Sequence, residues 1–145
     1  MRVSLVLADL DVQRSVEMSD HQKILELLEQ WAANTRQGNV DAILDHHASD
    51  VVIYDVLKPM KYDSAAAYRA SWGEWQPETI GGNIFELQDL RVVAGDDVAF
   101  AFGFLRCGGT TPAGKRFEDL VRATFCLAKS GGDWRVVHQH ISKPM

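Results

Sequence analysis

Asp119-Leu-Val-Arg-Ala-Thr-Phe-Cys-Leu-Ala-Lys-Ser-Gly-Gly-Asp-Trp-Arg-Val-Val-His-Gln-His-Ile-Ser142 is the stretch that decides the fold. It predicts two long strands joined at Ser130-Gly131-Gly132-Asp133, where glycines supply the positive φ of a tight reversal. Strict alternation puts Trp134, Val136, His138 and His140 on one face of the second strand. Arg135, Val137, Gln139 and Ile141 then take the other face. The first strand is apolar on both faces, with Val121, Ala123, Phe125 and Leu127 set against Leu120, Thr124 and Cys126, and with Arg122 among them. A sheet of that kind needs cover on both sides.

The bulk composition bounds the rest. A chain of 145 residues predicts one main domain, able to bury roughly two-thirds of its unfolded surface. Its 46% hydrophobic and 24% charged content is that of an ordinary globular protein. The net charge of −5, with no basic cluster, argues against nucleic acid or an anionic membrane as partner. No window approaches the ~20 apolar residues of a membrane span. Val3 to Leu10 is too short and too acidic at its flank for a signal peptide. Cys107 and Cys126, both in apolar strand-like runs, read as buried free thiols. The expected location is cytoplasmic.

Residues 1–17 read as an N-terminal extension, and the domain proper is expected over 18–145. Ser19-Asp20-His21-Gln22 has capping-box spacing, and Ile24, Leu27, Leu28, Trp31 and Ala32 then form one helical stripe. Gly38 ends that helix, and Asn39 is expected to cap a second one through about His47. Val51 to Val56 predicts a strand carrying Asp55 on the face of Val51 and Ile53. A loop at 58–62 precedes a third helix, capped by Asp63 or Ser64, with Tyr68, Trp72 and Trp75 at helical spacing and Pro77 as its stop. Strands over 84–94 and 97–107, and one from Lys115, complete a meander. Phe100, Phe102 and Phe104 give the middle strand an aromatic face.

Helices first and a long antiparallel meander after them is an α+β pattern. The expected architecture is a cone-shaped half-barrel, its sheet highly curved around three N-terminal helices, its convex face buried in a homodimer.

Several side chains could carry chemistry. Asp55 reads either as a general base at a pocket wall or as a strand-end carboxylate bonded to the 58–62 loop. His138 and His140, roughly 7 Å apart on one strand face, have three readings: pocket acids and bases, structural histidines bonded to Asp119, Asp55 or backbone carbonyls, or metal ligands lacking a third partner. Arg122, in an apolar strand, requires a carboxylate from the protein or from a ligand. Trp31, Tyr54, Tyr68 and Trp72, with Phe102, are either the aromatic wall of a small-molecule site or plain core. None of the glycine pairs opens a phosphate-binding helix, and no serine or cysteine sits in a nucleophile elbow.

Trp31-Ala-Ala, Gly38-Asn-Val-Asp-Ala-Ile, Asp50-Val-Val-Ile-Tyr-Asp55, Ala67-Tyr68, Val98-Ala-Phe-Ala, Arg122-Ala-Thr-Phe and the run Trp134 to Ser142 follow in an order that resembles the SnoaL-like branch of the nuclear transport factor 2-like superfamily. Ketosteroid isomerases and polyketide cyclases are relatives. The resemblance covers about residues 18–143 and implies the cone-shaped α+β fold; activity varies widely on that scaffold. By position, Asp55 resembles the isomerase's catalytic aspartate. The tyrosine that helps stabilise the dienolate there is matched by Trp31, and the protonated acid falls near Ala123. Alanine donates no hydrogen bond, so the oxyanion hole of the steroid enzyme is not reproduced.

These readings combine into one expectation. A mostly apolar, carbonyl-bearing small molecule binds in an internal pocket and undergoes proton transfer of the isomerase, cyclase or dehydratase type. No cofactor or metal is called for. Asp55 is the base, and His140, His138 and Arg122 polarise the oxygen. The alternative is a non-catalytic ligand-binding or assembly domain of the same fold.

Overall fold

The computed structural model describes residues 18–75 and 79–145; the expected 1–17 extension and the helix stop at Pro77 lie outside the described residues. Helix α1 spans Asp20–Gln37, strand β1 His47–Tyr54 and helix α2 Ala65–Trp75. Strands β2 (Ile80–Ala94), β3 (Val98–Thr110), β4 (Arg116–Ser130) and β5 (Asp133–Ser142) follow. They form one curved mixed sheet in the order β1-β5-β4-β3-β2. The meander is antiparallel, and β1 joins β5 in parallel.

Local chemistry sets the ends of α1. The Ser19 hydroxyl accepts the Gln22 amide at 3.1 Å, and Gly38, at φ 70°, returns its N–H to the Asn34 and Thr35 carbonyls. Asp20 in the first turn accepts from Trp134 Nε1 at 3.1 Å and Lys129 Nζ at 3.2 Å, tying the helix to the β4–β5 hairpin. Those bonds hold the Asp20 carboxyl below the usual carboxylate range. Ile24, Leu28, Trp31 and Ala32 are buried, and Trp31 meets Phe85 and Phe125 edge-on at 5.2 Å each. Ile24 and Leu28 each contribute about 1.5–3 kcal/mol by leaving water.

Two features depart from expectation. Among the described residues there are two helices, not three. Residues 40–46 form consecutive turns closed by Asn39 O to Ala42 N, Ala42 O to Asp45 N and Leu44 O to His47 N bonds. The chain needs to reach the sheet by His47, whose strand pairs with β5 at Val136, so no helical ladder develops.

The second departure is a bulge. Leu127 pairs with Val136, but Cys126 pairs with His138, leaving Val137 as an extra residue in β5. The parity of the strand flips there. Trp134, Val136, Gln139 and Ile141 point to the core, with Gln139 and Val136 fully buried. His138 and His140 turn to the opposite face, which corrects the alternation expected from the sequence.

That opposite face, turned away from α1, is rich in uncovered apolar groups. Phe100, Phe102, Phe104 and Leu120 are 40–52% exposed, and Phe100 stacks on Phe102 with centroids 6.2 Å apart. No helix among the described residues is long and apolar enough to cross a membrane.

Candidate functional site

Between the core face of the sheet and the helices lies a cavity of about 620 Å³. That volume falls in the range of small-molecule sites. Its wall is mostly apolar, drawn from Ile43, Phe85, Leu105, Val121 and Ile141, and it reaches solvent beside the exposed Val56 and Leu57.

Asp55 lies just past the end of β1, where the chain leaves the sheet. One carboxylate oxygen accepts the Val56 amide at 2.7 Å, and the other accepts the Tyr68 hydroxyl at 2.7 Å. Tyr68 comes from α2, whose first turn is capped by Ser64 accepting the Ala67 amide at 3.0 Å. An aromatic ladder sets the phenol's position: Tyr62 meets Tyr68 at 5.1 Å and Tyr68 meets Trp72 at 5.8 Å, both edge-on. Burial, and then the Asp55 charge, push the Tyr68 hydroxyl well above its ordinary value of 10.0. It stays protonated and serves Asp55 as a fixed donor.

Deeper in, Gln139 and Trp31 share the wall. Gln139 sits opposite Phe125 in the β4–β5 ladder, and Phe125 carries the Trp31 ring on it. His47 Nε2 lies 2.9 Å from Gln139 Oε1. Trp31 Nε1 and Gln139 Nε2 are both buried and have no hydrogen-bond partner among the described residues. His47 Nδ1 is likewise buried and has no partner among the described residues.

Burial holds the His47 imidazole below its ordinary value of 6.5; the Gln139 bond opposes this and His46 adds to it. The folded chain therefore resists a proton that the unfolded chain accepts. Stability is complete above about pH 6.5 and is lost as pH falls through the lowered folded value. Melting curves at falling pH are expected to show a loss that His47→Gln, which keeps a partner for Gln139, makes shallower. An unchanged slope in the variant would remove His47 from that role.

The rim is charged. Asp119 accepts Lys143 Nζ at 2.6 Å, with Cys107 alongside. Burial, then Asp119 and Asp55, raise the Cys107 thiol above its ordinary value, so it is no ready nucleophile. Among the described residues, no group of three or more His, Cys, Asp or Glu side chains is placed to hold a metal ion.

The residues singled out from the sequence fall into two groups. Asp55, Trp31, Tyr68 and Trp72 line the cavity. His138, His140, Arg122, Tyr54 and Phe102 belong to the outer face. His138 Nδ1 bonds the Val52 carbonyl at 2.6 Å, and the Tyr54 ring lies 4.7 Å from His138 and 5.3 Å from His140. Arg122 Nε donates to Ser142 Oγ at 3.1 Å and is exposed, so no buried carboxylate is called for. The expected convergence of Asp55 with the two imidazoles and the guanidinium across one hollow does not occur. The Val137 bulge is the cause for the histidines. Gln139 and His47 were missed. The signal for Gln139 was Ile141, an apolar residue out of phase with Trp134 and Val136, which requires one extra residue between them.

The sequence profile of the SnoaL-like domain family matches residues 24–145. The chain belongs to that SnoaL-like family. Among solved structures, this SnoaL-like chain is similar to an NTF2-like protein of unknown function from Pseudomonas putida KT2440. That pair is 29% identical with a TM-score of 0.75, over 89% of this chain and 91% of that one. A candidate ketosteroid isomerase from Shewanella frigidimarina NCIMB 400 is 20% identical with a TM-score of 0.64, over 81% and 92%. The association domain of C. elegans CaMKII is 12% identical with a TM-score of 0.68, over 84% and 94%. The last two likenesses establish the NTF2-like fold alone. No curated protein matches this sequence.

Proposed function

We propose that this SnoaL-like domain binds a small, mostly apolar molecule in its cavity and moves a proton on it, with Asp55 as the base and no cofactor. The observation that carries this is the Asp55–Tyr68 pair on the wall of the 620 Å³ hollow. A carboxylate held by two fixed donors faces an apolar space where a weakly acidic C–H would meet it with little competing water. The sheet is proposed to curl as a half-open cone around α1, keeping that space dry. His138, His140 and Arg122, away from the cavity, take no part in this chemistry.

The test is exchange of α-protons. Enolisable ketones such as 2-acetylnaphthalene and 1-tetralone, incubated with the protein in D2O, are expected to lose their α-proton NMR signals faster than in buffer. Binding of these ketones without any acceleration would leave a binding domain and remove the enzyme.

A second reading, assembly, is favoured by the uncovered Phe100, Phe102, Phe104 and Leu120. We assign these, with Tyr54, His138, His140 and Arg122, to a homodimer interface through the convex sheet face. The same fold serves as an association domain in the C. elegans relative. The two readings are compatible, because cavity and interface lie on opposite faces of one sheet.

A further inference from the structure

Proton abstraction by Asp55 leaves a charge to be received. When a carboxylate takes an α-proton, the C–H electron pair moves into a new C=C bond and the carbonyl oxygen takes up the negative charge. His138, His140 and Arg122, expected in that role from the sequence, lie on the outer face. Trp31 Nε1 and Gln139 Nε2 are buried too completely to present surface to the hollow. The hydroxyls of Thr35 and Tyr68 already donate, to the Trp31 carbonyl at 2.8 Å and to Asp55. Among the described residues on the wall, Lys143 alone carries a positive charge.

Lys143 stands where that charge forms. Ile141, two residues before it, is buried in the wall, and the alternation of β5 carries Lys143 to the same side. Tyr54 pairs with His140, so Asp55 and Ile141 each follow one residue on, and Lys143 comes roughly 7 Å further along. Asp119 of β4 accepts one ammonium N–H at 2.6 Å, which leaves two of the three donors to spare. Cys107 faces Asp119 across the β3–β4 ladder. Burial, then the charges of Asp119 and Asp55, raise its thiol while Lys143 opposes them, so all three charges gather around Cys107. The side chains of Lys143 and Asp119 are 51% and 54% exposed, where an ion pair adds little to stability. The inner wall, from Phe85, Leu105 and Val121, is apolar. A ligand thus enters apolar end first and keeps its polar end at the mouth, between Asp55 and Lys143.

We infer that Lys143, positioned by Asp119, is the catalytic cation of the cavity: its ammonium receives the ligand's carbonyl oxygen as Asp55 removes the α-proton. This rests on the reading of Asp55 as base and adds the residue that stabilises the enolate. The proton leaves carbon for an Asp55 oxygen, and the electron pair ends on the ligand oxygen beside Lys143. Return of a proton to carbon regenerates the ketone. The mouth opens beside the exposed Val56 and Leu57, so the proton on Asp55 exchanges with water, and in D2O the returned one is deuterium. The ligand class follows: an apolar body with an enolisable ketone or aldehyde at one end.

Exchange of the methyl protons of 2-acetylnaphthalene in D2O, followed across ketone concentration, gives kcat and KM for each variant. Lys143→Met is expected to lower kcat by about 10- to 100-fold, less than loss of a buried oxyanion donor costs because the mouth is half-solvated. Its KM is expected to stay within about threefold, since the contact strengthens only as charge develops. Lys143→Arg, which returns the charge, is expected to restore kcat to within about fivefold of wild type. Asp119→Asn, which loosens Lys143 but keeps its charge, is expected to lose about three- to tenfold in kcat. Lys61→Met, which removes the exposed Lys61–Asp63 pair and does not touch the cavity wall, is expected to match the wild type. Full activity in Lys143→Met, or a loss confined to KM, would overturn the catalytic cation and leave Asp55 standing as base. Failure of Lys143→Arg to restore exchange would overturn the electrostatic role, and a borohydride-trapped ketone adduct on wild-type Lys143 would put an iminium in its place. No acceleration by the wild type would overturn base and cation together.

Discussion

Asp55→Asn is expected to cut the protein's acceleration of α-proton exchange in 2-acetylnaphthalene by about 10²–10⁴-fold, the range general-base catalysis supplies. The asparagine keeps the shape of the side chain. Its carbonyl oxygen can still accept from Tyr68 or from the Val56 amide, the two donors at 2.7 Å in the native site. What is lost is the charge that accepts a proton. One of the two bonds thus loses its acceptor and the other its charge assistance, so the stability cost is about 1–3 kcal/mol, or about 2–10 °C in melting temperature for a chain of this size. Tyr68→Phe is the companion. It removes a donor that never takes part as an acid, because burial and Asp55 keep its phenol protonated, so exchange is expected to stay within about tenfold of wild type. A collapse of folding in Asp55→Asn, or full exchange activity in it, would make Asp55 a structural carboxylate.

How far these positions were visible in the sequence depends on which symmetry each rested on. Ser19 and Gly38 mark the ends of α1 by side-chain and backbone chemistry that acts within four residues, and both were legible. The Gly131-Gly132 turn was legible for the same reason, with φ of 59° and 85°. The place of Asp55 on the cavity wall was legible because Val51 and Ile53, both fully buried, set the inward parity of β1 that the next residue but one continues. The histidines were not. Their placement depended on counting parity along β5 from Trp134, and a single extra residue at Val137 reverses every side chain beyond it. The same reversal brings Gln139 inside. The 39–47 segment failed differently: Asn39 and the Ile43–Leu44 pair gave a helix start but no second turn of apolar residues to hold one. There the pairing of His47 with β5 prevailed over local preference.

The outer face leads to the other large effect. Phe102 sits mid-strand on β3, between Arg91 of β2 and Thr124 of β4, with its ring 40% exposed and stacked on Phe100. If this face meets its copy in a dimer, the ring lies near the centre of the contact, where aromatic side chains carry most of the binding energy. Phe102→Asp would place a carboxylate there twice, each facing desolvation costs of several kcal/mol and its own symmetry mate. The expected result, read by light scattering across a concentration series, is a dimer for the wild type and a monomer for the variant, with the dissociation constant raised by about 100-fold or more. Met60→Asp, on a loop residue 90% exposed, is expected to remain dimeric. Within one chain Phe102 supports none of the core that α1 covers, so the variant is expected to keep its secondary structure and, if the cavity is self-contained, its ketone binding. A wild-type chain that stays monomeric throughout, or a Phe102→Asp variant that still dimerises, would remove the convex face from the assembly. Loss of ketone binding on dissociation would instead mean that the two faces of the sheet are coupled, since β3 and β4 present Phe102 and Thr124 outward on the same strands that carry Leu105 and Val121 into the cavity.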